Sequence, residues 1–293
     1  MLEINNKSYK KSIFKNSLGI MQGRLSDPLA NRIQSFPWDT WRREFKTCNQ
    51  LEIRLLEWTI DSYNVKKNPI FIPKDIKEIR NLCSTFGVRI ESVTCDFFME
   101  NPPWTAKTNI KKLRVLFEKL VQSSNDLESP LKLVVPLVDS GSLRNDSDFD
   151  LVIEALNIET LQESNCQVLF ETDYSPYLFL KLLDSVAIPK LGVNLDTGNS
   201  ASLGFIPQEE VLVLKSLIQN VHIKDRVKHG VSVPLGEGDA QLLDYLKLLA
   251  GTGYSGNFIL QTARAKDGDH VGEIKRNINY LLDLVDKIEF DYE

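Results

Sequence analysis

The sequence predicts an α/β fold closed into a single (β/α)8 barrel, and three observations lead there. Short apolar runs alternate with longer segments of helical period about eight times. Alternation of this kind makes parallel strands with helices outside them. Eight units of roughly 30–35 residues each account for the 293 residues, with no linker long enough to divide the chain. A doubly wound open sheet is the alternative, but it usually carries a Gly-rich turn after its first strand, and IMQGRL holds a single Gly. A polar N-terminal extension, residues 1–16, is expected ahead of one barrel domain, residues 17–293.

In order, the strands are expected in SLGIMQGRL (17–25), LEIRLLEW (51–58), VRIESVTCDF (88–97), LKLVVPLVD (131–139), CQVLFETD (166–173), KLGVNLDTGN (190–199), NVHIKDR (220–226) and NFILQTAR (257–264). The first helix, 37–50, has Pro37 and Asp39 as start signals. The second, 73–87, places Ile76, Ile79 and Leu82 on one face and ends at Gly87, a C-cap. The third, 106–124, is the clearest, with Ile110, Leu113, Leu116, Phe117 and Leu120 in register. Segments 148–165, 175–186, 207–219, 239–253 and 272–288 complete the helices.

Composition excludes several classes. A hydrophobic fraction of 42% and a charged fraction of 26% are those of a globular protein. A net charge of −5 argues against a nucleic-acid partner, because neutralising phosphates needs clustered Lys and Arg. No apolar run is long enough to span a membrane, and MLEINNKSYKKSIFKN lacks the apolar core of a signal peptide. Cys48, Cys83, Cys95 and Cys166 form no CxxC pair and are expected as reduced thiols of a cytoplasmic protein.

A barrel makes its active site where strands end. The strand ends supply Gln22 and Arg24, Glu57, Asp96, Asp139, Glu171, Asp196, His222 and Gln261. Any one of these suits a solvated edge or a helix cap. The last four stand apart, because they come from adjacent strands and each offers an oxygen or imidazole ligand. Such a set suits one divalent ion (Mn, Mg, Co or Zn) with positions left for substrate.

At these residues the chain resembles the sugar phosphate isomerase/epimerase group of xylose isomerase-like TIM barrels, relatives of tagatose 3-epimerase and hydroxypyruvate isomerase. The resemblance runs from GIMQGRL through VLFETD, NLDTGN, VHIKDR and LGEGD to the last strand; IMQGRL and VHIKDR…PLGEGD are its most specific parts. It implies a metal held by Glu171, Asp196, His222 and Gln261, a small carbohydrate substrate and, since barrels of this group often pair, a homodimer. Two residues depart from the pattern. Where the group has a substrate-contacting His, three residues after the metal-binding Asp, stands Asn199; where it has a Glu that is both ligand and acid/base stands Gln261.

An amide oxygen ligates hard cations but has no titratable form near neutral pH. A two-base epimerisation therefore lacks one member. A one-base route survives, in which Glu171 moves a proton between neighbouring carbons through an enediolate and Lys224, His229 or a metal-bound water serves the oxygens. The expected activity is a metal-dependent sugar or sugar-phosphate isomerase. Epimerisation with Asp96 or His229 as second base, dehydration, and a non-catalytic carbohydrate-binding descendant are the alternatives. An apurinic endonuclease shares the barrel but needs a His-rich site and a basic face, which three histidines and the acidic net charge oppose.

Arg24, Glu57, Asp96, Asn199, Lys228 and Arg264 are candidate substrate contacts, with the cations suited to a phosphate or carboxylate. Gly236 and Gly238 are expected in a turn before a helix opened by Asp239, a place where an anion can bind. Trp38, Trp41, Trp58, Phe97, Phe98 and Trp104 are expected near the first three strand ends, as a wall for a sugar ring or as core. His229 and His270 are expected in exposed loops.

Overall fold

The computed structural model describes residues 14–288 except 30, 31, 33, 187 and 189. Strands β1 (Leu18–Met21), β2 (Leu55–Thr59), β3 (Ser92–Thr94), β4 (Lys132–Leu137), β5 (Gln167–Thr172), β6 (Leu191–Asp196), β7 (Ile218–Ile223) and β8 (Asn257–Leu260) form one closed parallel barrel. Closure is direct: Gly19 of β1 pairs with Leu55 of β2 on one side and Ile259 of β8 on the other. Only a glycine fits there. A Cβ on Gly19 would lie 2.6 Å from Ile259 Cδ1 and 2.7 Å from Leu55 Cβ.

The helices are α1 (Trp41–Gln50), α2 (Pro73–Phe86), α3 (Asp96–Glu100), α4 (Ile110–Leu127), α5 (Asp146–Leu156), α6 (Ile158–Glu163), α7 (Pro176–Val186), α8 (Thr197–Leu203), α9 (Pro207–Leu214), α10 (Leu242–Gly251) and α11 (His270–Asp286). Local chemistry sets their ends. Helix α2 opens on Pro73 and stops at Gly87, whose φ of 63° is the left-handed conformation glycine adopts freely. The Asn109 side chain caps α4 by accepting from Lys112 N at 3.2 Å. The segment 148–165, expected as one helix, breaks at Asn157, φ 45°, into α5 and α6. Helix α9 ends at Leu214, where Lys215 takes a φ of 39°, and after the tight turn Lys215–Leu217 the apolar residues from Ile218 onward enter β7. The short helices α3 and α8 begin directly at the ends of β3 and β6 and carry Asp96 and Asn199.

Two apolar layers hold the barrel. The larger lies between strands and helices and includes Trp41, Phe45, Trp58, Phe117, Phe149 and Phe170. The smaller, Met21, Leu55 and Ile259, fills part of the lumen. Trp41, Trp58, Phe97 and Phe98 are buried in the outer layer. Trp38 and Trp104 pack against it half-buried, so these aromatics build core. Residues 1–13 of the expected extension lie outside the described residues, whereas Phe14 is buried and packs its ring 5.1 Å from that of Phe258. Cys48, Cys83, Cys95 and Cys166 are all free thiols. Among the described residues no helix is long and apolar enough to cross a membrane.

Candidate active site

Inward positions on β2, β5, β6 and β7 build a buried polar cluster at the top of the lumen. Residues two apart on a strand share a face, so Asn194 with Asp196 and Asn220 with His222 project together. Glu171, Asp196 and His222 offer ligand atoms that all lie within 4.8 Å of one another, and all three are buried.

Each of these side chains is held from behind. Asp196 is the N-cap of α8: its Oδ1 accepts from Gly198 N at 2.9 Å and Asn199 N at 2.8 Å, which leaves Oδ2 for the site. Glu171 accepts from Asn194 Nδ2 at 2.7 Å on Oε2 and from Asn199 Nδ2 at 2.5 Å on Oε1, which fixes the plane of its carboxylate. His222 Nε2 is bonded to Glu57 Oε1 at 2.7 Å across the lumen, and Glu57 Oε2 accepts from Asn220 Nδ2 at 3.1 Å. His222 Nδ1 is buried 3.4 Å from Glu171 Oε2, within ion-pair reach, and makes no aligned hydrogen bond among the described residues.

That orphaned nitrogen tests the fit of a metal. Three oxygen and nitrogen donors converge on one point, and the imidazole is oriented through its far nitrogen by a carboxylate, the usual support of a metal-binding His. The charge balance agrees. Burial works to lower the His222 pKa, but Glu57 and Glu171 overcome it and push it up to about 10. Burial and the neighbouring Asp196 raise Glu171. A cluster with this surplus of negative charge favours a cation, and Glu171, Asp196 and His222 fit a divalent one.

Gln261 leaves β8 just above this cluster. Its Oε1 accepts from Lys224 Nζ at 3.1 Å and its Nε2 donates to Met21 Sδ at 3.4 Å. Lys224 also donates to Asp196 Oδ2 at 3.3 Å and Asn199 Oδ1 at 3.1 Å, so its three N–H groups bind three site residues. Asn199 Oδ1 accepts a further bond from Arg226 Nη1 at 3.0 Å.

Above lies an open cavity of about 1000 Å³. Its lining includes Arg24, Asp96, Asn199, Lys224, Gln261 and Arg264, with Glu171 at its floor. Burial pushes Asp96 up to about 7; the Thr94 hydroxyl opposes this, and Glu100, Asp61 and Glu171 add to it.

Other candidates sit elsewhere. Glu57 is wholly buried beneath His222, behind the ligand cluster. Lys228 and His229 are exposed on the turn joining a two-residue ribbon (Asp225–Arg226 with Ser232–Val233), where His229 N donates to Ser202 O at 2.9 Å. His270 is buried at the first turn of α11 rather than exposed in a loop. The turn around Gly236 and Gly238 encloses an internal carboxylate. Asp225 accepts from Gly236 N at 2.8 Å, Gly238 N at 3.1 Å and Ala240 N at 3.0 Å, while Asp239 accepts from Lys228 N at 2.7 Å and opens no helix. Sequence reading missed Asn194, Asn220 and Arg226. The signal for the two asparagines was their spacing, two residues before Asp196 and His222.

Known structures share this architecture. A xylose isomerase domain protein from Planctomyces limnophilus is 16% identical, with a TM-score of 0.69 over 93% of this chain and 97% of that one. A xylose isomerase-like TIM barrel protein from Mycobacterium smegmatis, in complex with magnesium, is 15% identical, with a TM-score of 0.65 over 92% and 96%. D-psicose 3-epimerase from Clostridium cellulolyticum H10, with D-tagatose, is 12% identical, with a TM-score of 0.65 over 93% and 99%. No curated protein sequence matches significantly. The model of the xylose isomerase-like TIM barrel family matches residues 45–284, and with the closed barrel this places the chain in that family.

Proposed function

We propose that the protein is a divalent-metal-dependent isomerase of a sugar or sugar phosphate, using Glu171 as its single carbon base. The observation that carries this reading is the buried Glu171–Asp196–His222 cluster with its orphaned His222 Nδ1. Those three residues would hold the ion, which when bound polarises a carbonyl and stabilises charge on the oxygens around it. Glu171 removes the proton from the carbon beside the substrate carbonyl, giving an enediolate, and returns it to the former carbonyl carbon. Asn194 and Asn199 hold the carboxylate in one plane through both half-reactions. Lys224, anchored by Asp196, Asn199 and Gln261, carries the hydroxyl proton from one oxygen to the other. Gln261 orients Lys224 and cannot return a proton to the opposite face of the substrate.

One observation favours a second reading. Asp96 lines the same cavity as Glu171, and its Oδ2 is buried with no partner among the described residues. With Asp96 as second base the enzyme would epimerise.

The test is elemental analysis after dialysis against Mn, Mg, Co or Zn, followed by a sugar screen for proton exchange in deuterated water. About one ion per chain, lost in a Glu171→Ala, His222→Ala variant, is expected, together with aldose–ketose conversion. An epimer as product, abolished by Asp96→Asn, would replace the first reading with the second. Absence of bound metal and of exchange would end both.

A further inference from the structure

The wall of the cavity contributed by the β1 and β8 ends carries a charge that the chemistry above leaves unused. Arg24 is only 5% exposed, yet it lines the cavity. Its Nη1 donates to Thr262 O at 3.1 Å, and among the described residues its buried Nε has no partner and no carboxylate forms an ion pair with it. Its neighbour carries the same charge: a Cβ on Gly23 would lie 3.9 Å from Arg264 Nη2. Both arginines are tied to one turn. The Glu44 carboxylate accepts from Gly23 N at 3.0 and 3.1 Å and from Ser26 Oγ at 2.7 Å, and Arg264 Nη1 donates to Ser26 O at 2.6 Å. Burial, and then the charge of Arg264, push the Arg24 pKa down to about 9, with Asp96 and Asp196 offsetting part of this from a distance.

A buried guanidinium beside a second cation is unfavourable unless an anion completes the site. The planar fork of Arg matches the paired oxygens of a carboxylate or phosphate. Resting on the reading that this cavity takes a polyhydroxy substrate, we infer that Arg24 and Arg264 form a subsite for an anionic group, carboxylate or phosphate, borne by that substrate. The substrate class is then a sugar acid or a sugar phosphate rather than a neutral sugar. The cavity, at the upper end of the range for small-molecule sites, has room for the extra group beside the sugar.

The experiment is thermal unfolding of metal-free protein at constant ionic strength, with chloride exchanged for inorganic phosphate or for acetate. It needs neither metal nor turnover, so it reads the subsite even where the isomerase screen fails. For the unaltered protein the expected result is a saturable rise in Tm of about 2–3 °C at an anion concentration about ten times its dissociation constant. Phosphate acting alone points to a phosphate ester, and acetate acting as strongly points to a sugar acid. Arg24→Met and Arg264→Met should each abolish the rise. Arg276→Met should keep it, because Arg276 lines the cavity but pairs with Glu273 at 2.6 Å. Should Arg24→Met fail to fold, the half-buried Arg264 carries the same test. No saturable effect of either anion, or a rise that survives Arg264→Met, would overturn the inference.

Discussion

Replacing Glu210 by Gln should remove a defined part of the pH dependence of stability. Glu210, at the first turn of α9, is 5% exposed; its Oε1 accepts from Ser200 Oγ at 2.8 Å and its Oε2 from the Tyr245 hydroxyl. Burial pushes its pKa from 4.5 up to about 7, against the two hydroxyl donors and with help from Asp196 and Glu209. The folded state therefore binds a proton that the unfolded chain has already released between these values, and stability falls as pH rises through that window. The loss amounts to about 3 kcal/mol, present in full below pH 4.5 and absent above pH 7. Tyr245, itself raised well above 10, does not titrate in the window. The assay is urea unfolding at pH 5, 6, 7 and 8 for both proteins. Glu44 and Asp96 are pushed the same way, but their contribution is common to both and cancels in the difference. Relative to Glu210→Gln, the unaltered protein should lose about 1 M in urea midpoint across the range. Parallel profiles, or a difference that grows in favour of the unaltered protein with pH, would refute the reasoning.

Other perturbations give separate readings. Glu57→Gln takes the carboxylate from behind His222 and should weaken divalent-ion binding about 10–100-fold, measured by titration calorimetry; unchanged affinity would deny Glu57 its orienting role. Gly238→Ala drives a methyl group into Asp225 Oδ1 and the Arg226 carbonyl, and should destabilise by about 1–3 kcal/mol in urea unfolding. Phe170→Ala, which removes a wholly buried ring 5.0 Å from that of Phe149, should lower stability by about 3–5 kcal/mol. A loss below about 1 kcal/mol, the range of surface changes, would mean that the outer layer collapses to fill the space.

The barrel was legible because its signals are local and repeated. Eight apolar runs at regular spacing, each followed by residues of period 3.6, dictate parallel strands under a helical coat, and Gly87 marked a helix end by its own chemistry, whereas the Asn109 cap, inside the helix expected over 106–124, emerged only in the structure. Glu171, Asp196 and His222 were legible for the same reason, as polar residues ending apolar runs in a fold whose chemistry sits at strand ends. Tertiary structure decided how those ends meet. Glu57 reaches His222 from 165 residues away, and no local pattern distinguishes that buried partner from a substrate contact. The glycines of LGEGD wrap Asp225 instead of an external anion, because the ribbon brings that carboxylate beneath them. Gln261 shows the division most plainly. Its amide, written in the sequence, ruled out a second carboxylate at the end of β8, since proton affinity belongs to the residue itself. Its work as the acceptor that holds Lys224 over Asp196 exists only once β6, β7 and β8 stand side by side, because a hydrogen bond depends on distance and direction in space, and the chain alone specifies neither.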